Sequence, residues 1–443
     1  MALTMTAVMA RAQFTTKGDG TTYDIESLAA IAEAGIVGHN EPHGGQPYYE
    51  LHQSITIAAG DKFVMDDGVT LTFAPGTSLT VAGEGDFHLS EGSTLKAPEG
   101  QASVSIESTT RTPFDHCHFE GVGLEVRGEG GVEVCRSSFI GHDGSSAAAL
   151  YFINAGAASL ISDCSFDACA KAAIGSAANA PQPMTIRNCV LTRNSTANKN
   201  IPQINLTAAS PLVISGCTIT GTPENNMVGG IGISNFMSYD ADVTISGCTV
   251  TDNRYGIGIV GPAAKIVMQD NRLVNNRYET NPMNGGSGIS LYDPYRQTNA
   301  VITRNHIEGS LWGVTVIGCK SVNLGCLDKI DNYNPGGNVF KDNGNGGVLY
   351  DLYNNSDLTI YAQNNIWNVS EQTEEQIETV VFHQHDDAKL GRVIFMPAAA
   401  NTSIGDCVES TPAANAPVYN LNGQRVSTMR RGLYIKNGRK RIF

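Results

Sequence analysis

Nine side chains between residues 252 and 296 could act together on a ligand: Asp252, Arg254, Tyr255, Tyr278, Glu279, Tyr292, Asp293, Tyr295 and Arg296. Flat aromatic faces beside carboxylates and guanidinium groups suit carbohydrate, which stacks its apolar ring faces and needs a polar rim. Ordinary turn packing uses the same residue types. Cleavage makes a stricter demand, because inverting hydrolysis needs two carboxyl groups across the scissile bond. The Asp-Asp pairs, Asp66-Asp67 and Asp386-Asp387, lie near opposite ends of the chain. His383-x-His385-Asp386-Asp387 could place two imidazoles on one strand face for a metal, although a solvated turn of the cap is the preferred reading. No metal or cofactor is expected, and no Asp cluster speaks for Ca²⁺. His116 and His118 flank Cys117 and are expected at the surface. HExxH, GxSxG and CxxC are all absent from the sequence, which leaves zincin, serine-hydrolase and zinc-ribbon chemistry without residues.

The elements that must position these residues come from a repeat. The phrase apolar-x-apolar-x-x-Cys/Asn-x-apolar recurs with Cys117, Ser137, Cys164, Cys189, Cys217, Cys248, Asn271, Asn305, Asn338 and Asn365 in its key column, about 28 residues apart on average. Two residues on, the side chain is always apolar, from Phe119 to Trp367. That is a period-2 strand with one buried face, once per rung. A second strand follows, often after Gly, as in GIGIS at 230–234 and GISLY at 288–292. Rungs of 20 to 34 residues suit a solenoid whose turns accept insertions. The reading is an all-β, right-handed parallel β-helix over 50–396, with the key-column asparagines bonded into an internal amide ladder. Residues 13–49, with a helix capped by Asp24, form an N-terminal cap. A helix after Thr373-x-x-Gln376 and the strand at 392–396 close the other end.

The longest loops, at Asn200-Ile201-Pro202, Asn225-Asn226-Met227 and Asn281-Pro282-Met283-Asn284, fall 9 to 11 residues after their key positions. They should share one wall, with the nine candidates close by.

Composition agrees with many short strands. The 443 residues alone suggest two to four domains, but only 16% are charged and there are 48 Gly and 35 Asn, which is turn chemistry along the whole length. No apolar run reaches the length of a membrane-spanning helix. A net charge of −14 argues against nucleic acid as a partner. Ten cysteines could form a disulfide framework, yet five stand in the inward column, where parallel side chains are badly placed to bridge. Cys319 and Cys326 flank a loop, and their spacing permits a bridge.

The ends read as processing signals. Residues 1–12 are apolar up to Ala10-Arg11-Ala12, the second half of a secretory signal peptide. Residues 397–417 are a Pro/Ala-rich linker. Residues 418–443 carry seven Lys/Arg and no acid, leaving 22 basic against 43 acidic residues in 1–417. With Val418-Tyr419-Asn420-Leu421-Asn422-Gly423-Gln424 and Gly432-Leu433-Tyr434-Ile435 before Asn437-Gly438, this hairpin-forming segment resembles the C-terminal sorting tails of type IX secretion in Bacteroidota. The resemblance implies type IX export machinery as a partner, removal of the tail, and a secreted or outer-membrane-surface location. Residues 50–396, with YETNPMNGGSGISLYDPY and NPGGNVFKDNGNGG, resemble exported right-handed β-helix proteins of Bacteroidales. Polygalacturonase-type members of the fold carry an Asp-Asp pair, Gly-His-Gly and Arg-x-Lys on adjacent rungs, and this set is missing here. The leading expectation is therefore a non-catalytic protein that binds a polysaccharide or glycoprotein. A polysaccharide lyase or glycoside hydrolase, and a structural or adhesive stalk, are the alternatives.

Overall fold

The computed structural model describes residues 13–43, 46–263, 265–279, 281–348 and 350–400, together with short strands in the tail; the expected signal segment and linker core lie outside these. Residues 1–399 and 400–443 are two compact units.

The first unit is a parallel β-helix of three long sheets. Sheet I has 14 strands, from Gln13–Thr15 to Val381–Phe382. Sheet II has 14, from Thr22–Asp24 to Val393–Ile394, and sheet III has 13, from Ile36–His43 to Val339–Lys341. Each coil runs sheet II, sheet III, sheet I. Pairing is parallel except between Ile36–His43 and Gln46–Leu51. Each coil carries three strands, in keeping with the expectation of at least two, and strand pairing already starts within residues 13–49, since Phe14 pairs with Ile55 and Tyr23 with Phe63. The Asp24-capped helix Ile25–Ala29 buries Ile25 and Leu28.

One backbone device repeats at every turn from sheet II to sheet III. The residue just before the key column is left-handed: His116, Arg136, Asp163, Asn188, Gly216, Gly247, Asp270, Arg304, Gly337 and Asn364, with φ between 47° and 75°. A single left-handed residue reverses the chain in the least space, at a cost for side chains other than Gly, Asn and Asp. The next residue points inward and satisfies the backbone that this turn exposes. Asn271, Asn305 and Asn338 each donate from Nδ2 to the amide oxygen of the following ladder member, at 2.9, 3.0 and 2.9 Å, ending on Asn365. The same oxygens accept the key-residue N–H of the preceding coil, as Asn305 Oδ1 does from Asn271 N at 3.1 Å. In the Cys coils the thiol takes the donor role, Cys189 Sγ to Arg187 O at 3.3 Å and Cys164 Sγ to Ser162 O at 3.2 Å. All nine described cysteines are free, including Cys319 and Cys326, so the loop bridge their spacing permits is not formed. Burial pushes the Cys117 and Cys319 thiols up to about 12.

Two residues past the key column, sheet III stacks its apolar side chains in register. Phe119, Phe139 and Phe166 lie parallel with centroids 4.4 and 4.8 Å apart, and Phe340 stacks on Trp367 at 5.0 Å. Each such pair adds about 1 kcal/mol beyond its burial. The core fills the space between the three sheets from end to end.

In the second unit, strands Val418–Tyr419, Arg425–Val426, Leu433–Lys436 and Arg439–Ile442 form a four-stranded antiparallel sheet.

Candidate functional site

The long loops all connect sheet III to sheet I. They rise along one edge of sheet I, so its outward face becomes the floor of a trough. In register, one residue per coil, that floor reads Asn205, Gly232, Gly258, Ser290, Thr315 and Tyr353. Five steps at the coil spacing make about 24 Å. Gly232 and Gly258 leave room that the loops use. A Cβ on Gly232 would meet the Pro202 ring at 2.6 Å, and one on Gly258 would meet the Tyr255 ring at 3.0 Å.

The trough comprises two joined clefts of about 400 and 200 Å³, which share Asn284, Gly285, Ser287 and Ser290. Tyr255, Asn200, Pro202 and Phe236 border the first. Trp312, Met283, Thr315, Tyr353 and Asn355 border the second. Among all lining residues there is no Asp, Glu, Lys or His, and Arg254 is the one fixed charge. Arg254 is also tied into the wall. It donates from Nη1 to Asn200 Oδ1 and from Nη2 to Asn284 O, both at 2.6 Å, and its Nε lies 2.7 Å from Glu279 Oε2. With side-chain exposures of 8% and 12%, Arg254 and Glu279 latch three loops into one wall. The Trp312 indole fixes the same loop by donating to Pro282 O at 2.8 Å. Tyr255 packs over Gly229 and Gly258, and burial pushes its phenol up to about 12, so it is a neutral donor at any ordinary pH.

The nine sequence candidates separate into two groups. Asp252, Arg254, Tyr255, Tyr278 and Glu279 sit on the loop wall. Tyr292 points outward from sheet I, 43% exposed, and Asp293, Tyr295 and Arg296 lie at the opposite edge, where sheet I turns into sheet II. The carboxylates are not a free polar rim, as the sequence suggested. Asp252 accepts from the Tyr278 hydroxyl at 3.3 Å, and Glu279 is held by Arg254. Asp293 is buried and organises its turn, accepting from the N–H groups of Tyr295, Gln297 and Thr298 at 3.0, 2.7 and 2.7 Å. Arg296 pairs with Asp357 at 2.8 Å in solvent.

A second buried amide column, made of residues five after the key column and bridged by Gln203, was not read from the sequence. Asn194 Nδ2 donates to Gln203 Oε1 at 3.1 Å, Gln203 Nε2 to Asn253 Oδ1 at 3.0 Å, and Asn253 Nδ2 to Asn276 Oδ1 at 3.3 Å. It supports the base of the loop wall. The constant offset of Asn194, Asn253, Asn276 and Asn343 from their key residues was the signal available.

The histidine pair lies in the C-terminal cap, beside a cleft of about 440 Å³. His383 Nδ1 accepts from Val393 N at 2.8 Å, so Nε2 carries the proton and donates to Glu378 Oε1 at 2.6 Å. Both nitrogens are thus used to join the helix Glu374–Glu378 to the last strands, while His385 is 72% exposed. Among the described residues no group of three or more His, Cys, Asp or Glu is arranged to hold a metal ion.

No curated protein matches the chain by sequence. Among solved structures it is similar to the periplasmic alginate epimerase AlgG, with a TM-score of 0.43 and 10% identity over 85% of this chain and 83% of that one. A single-site mutant of the same enzyme gives 0.41 and 11% over 86% and 82%. The family model described as "Right handed beta helix region" matches residues 57–201 and 193–292, more than half of the sequence, and the chain belongs to that family.

Proposed function

We propose that this protein binds an uncharged polysaccharide, or the glycan of a glycoprotein, along the trough on sheet I, without cleaving it. The observation that carries this reading is the lining. Aromatic rings and neutral hydrogen-bonding groups run for several coils, and the single cation is already paired. A polyuronate would find no free cation there, and hydrolysis would find no pair of carboxyl groups. Aromatic faces offer each sugar ring a stacking surface, worth about 1 kcal/mol apiece.

The test is calorimetric titration with a panel of neutral polysaccharides. Tyr255→Ala and Trp312→Ala are each expected to weaken binding about tenfold. Tyr295→Ala, on the far edge, should leave it unchanged. If the wild type binds no neutral glycan, or both trough variants bind as tightly as it does, the reading fails.

We further infer export to the cell surface or medium through type IX machinery. The basic, acid-free tail and its separation as a unit of its own support this. Deleting residues 418–443 should retain the protein behind the outer membrane; normal release of the truncated protein would refute it.

A further inference from the structure

The floor column of sheet I does not stop at Asn205. Towards the N-terminus the same register continues through Gly175, Tyr151, Glu125 and Ser105. Glu125 therefore stands three coils beyond Asn205, about 14 Å along the same face.

Its surroundings are unusual for a carboxylate. The Glu125 side chain is 10% exposed, yet only one of its oxygens is used. Arg127 donates to Oε2 from Nη2 at 2.6 Å and from Nε at 3.1 Å, and Oε1 has no partner among the described residues. Ser105 Oγ, on the preceding coil, is buried without a partner. His142 is 1% exposed and lies against Gly123, two residues before Glu125, where a Cβ would meet its ring at 2.8 Å. Its ring lies by the Gly121 backbone, and burial holds its pKa below the usual imidazole range. Lys171 pins the loop above it by donating to Gly144 O and Ser145 O, both at 3.0 Å. Tyr151 follows Glu125 in register, and its ring edge lies near the space left by Gly175. Glu125 Oε1 is thus left free to accept from a ligand on this face.

We propose that Glu125, Arg127 and Tyr151 form a polar subsite on the trough's axis, which takes one hydroxyl-rich sugar unit of the bound chain. This rests on the trough binding an uncharged glycan. Glu125 Oε1 accepts from one sugar hydroxyl, Arg127 donates to its neighbour, and Tyr151 supplies the ring face. Glu125 and Arg127 neutralise each other, so neither a cation nor an anion gains from the pair. Adjacent hydroxyls, which both donate and accept, match it.

The experiment titrates the full chain with neutral cello-, xylo-, manno- and malto-oligosaccharides, from disaccharide to octasaccharide. For whichever series binds, Glu125→Ala is expected to weaken the longest members about tenfold and leave the shortest unchanged. Tyr151→Ala, which leaves the ion pair intact, should give the same length-dependent loss if Glu125→Ala does not fold. Tyr255→Ala should weaken all lengths. Loss with Tyr255→Ala but wild-type affinity for long chains in folded Glu125→Ala or Tyr151→Ala overturns the subsite alone. Absence of any binding by the wild type overturns the trough and the subsite together.

Discussion

The key column is built in two halves, and their difference is instructive. From Cys164 to Cys248 it is a stack of thiols; from Asn271 to Asn365 it is a chain of amides. Both halves follow the same left-handed residue, and both face the same carbonyls. Asn271 Nδ2 reaches Ile245 O at 2.9 Å, whereas Cys217 Sγ stands 3.9 Å from the matching Ile186 O. A thiol is a weak donor, while an amide donates twice and also accepts from the coil before it. Thiol coils are therefore held mainly by packing, and amide coils by packing plus a continuous polar chain.

The sharpest way to break this contrast is Asn305→Ala. It removes the oxygen that accepts from Asn271 N and Asn271 Nδ2, and the Nδ2 that donates to Met268 O and Asn338 Oδ1, leaving buried groups without partners. A loss of about 3 kcal/mol is expected in denaturant unfolding. Next comes pH, because the C-terminal coils also hold a buried acid. Burial pushes the Asp351 carboxyl up to about 7, against 3.8 for the free group. The folded state thus binds its proton more tightly than the unfolded chain. Its stabilisation is full below about pH 4 and is lost as pH rises to about 7. Unfolding from pH 4 to 8 should show wild type losing stability relative to Asp351→Asn across that window, and parallel curves would refute it. The smallest effect is expected in the thiol half. Cys217→Ala should cost about 1 kcal/mol, because a small apolar group replaces another. A cost equal to that of Asn305→Ala would erase the distinction.

Much of this architecture was legible because strand alternation and the key column survive every change of loop length. The left-handed turn residue was not, since it is His, Arg, Asp, Asn or Gly in different coils and shares a backbone state rather than a residue type. The loop wall was legible from constant offsets. The trough floor was hidden in plain strand motifs: in GIGIS and GIGIV the inner glycines look like weak strand positions, and only the register shows Gly232 and Gly258 side by side on the outer face. The supposed polar rim misled because residue type does not reveal whether a carboxylate is already used, as Asp293 and Glu279 are.

One-to-one register along sheet I also makes the molecule a ruler. Each coil contacts only its neighbours, so a whole coil can be duplicated or lost without altering the kind of contact at either junction. Such a change would lengthen or shorten the floor by one strand spacing, about 4.8 Å, with the walls carried along by their own loops. Ligand length would then be inherited in whole-coil steps, separately from the side chains that choose which ligand is bound.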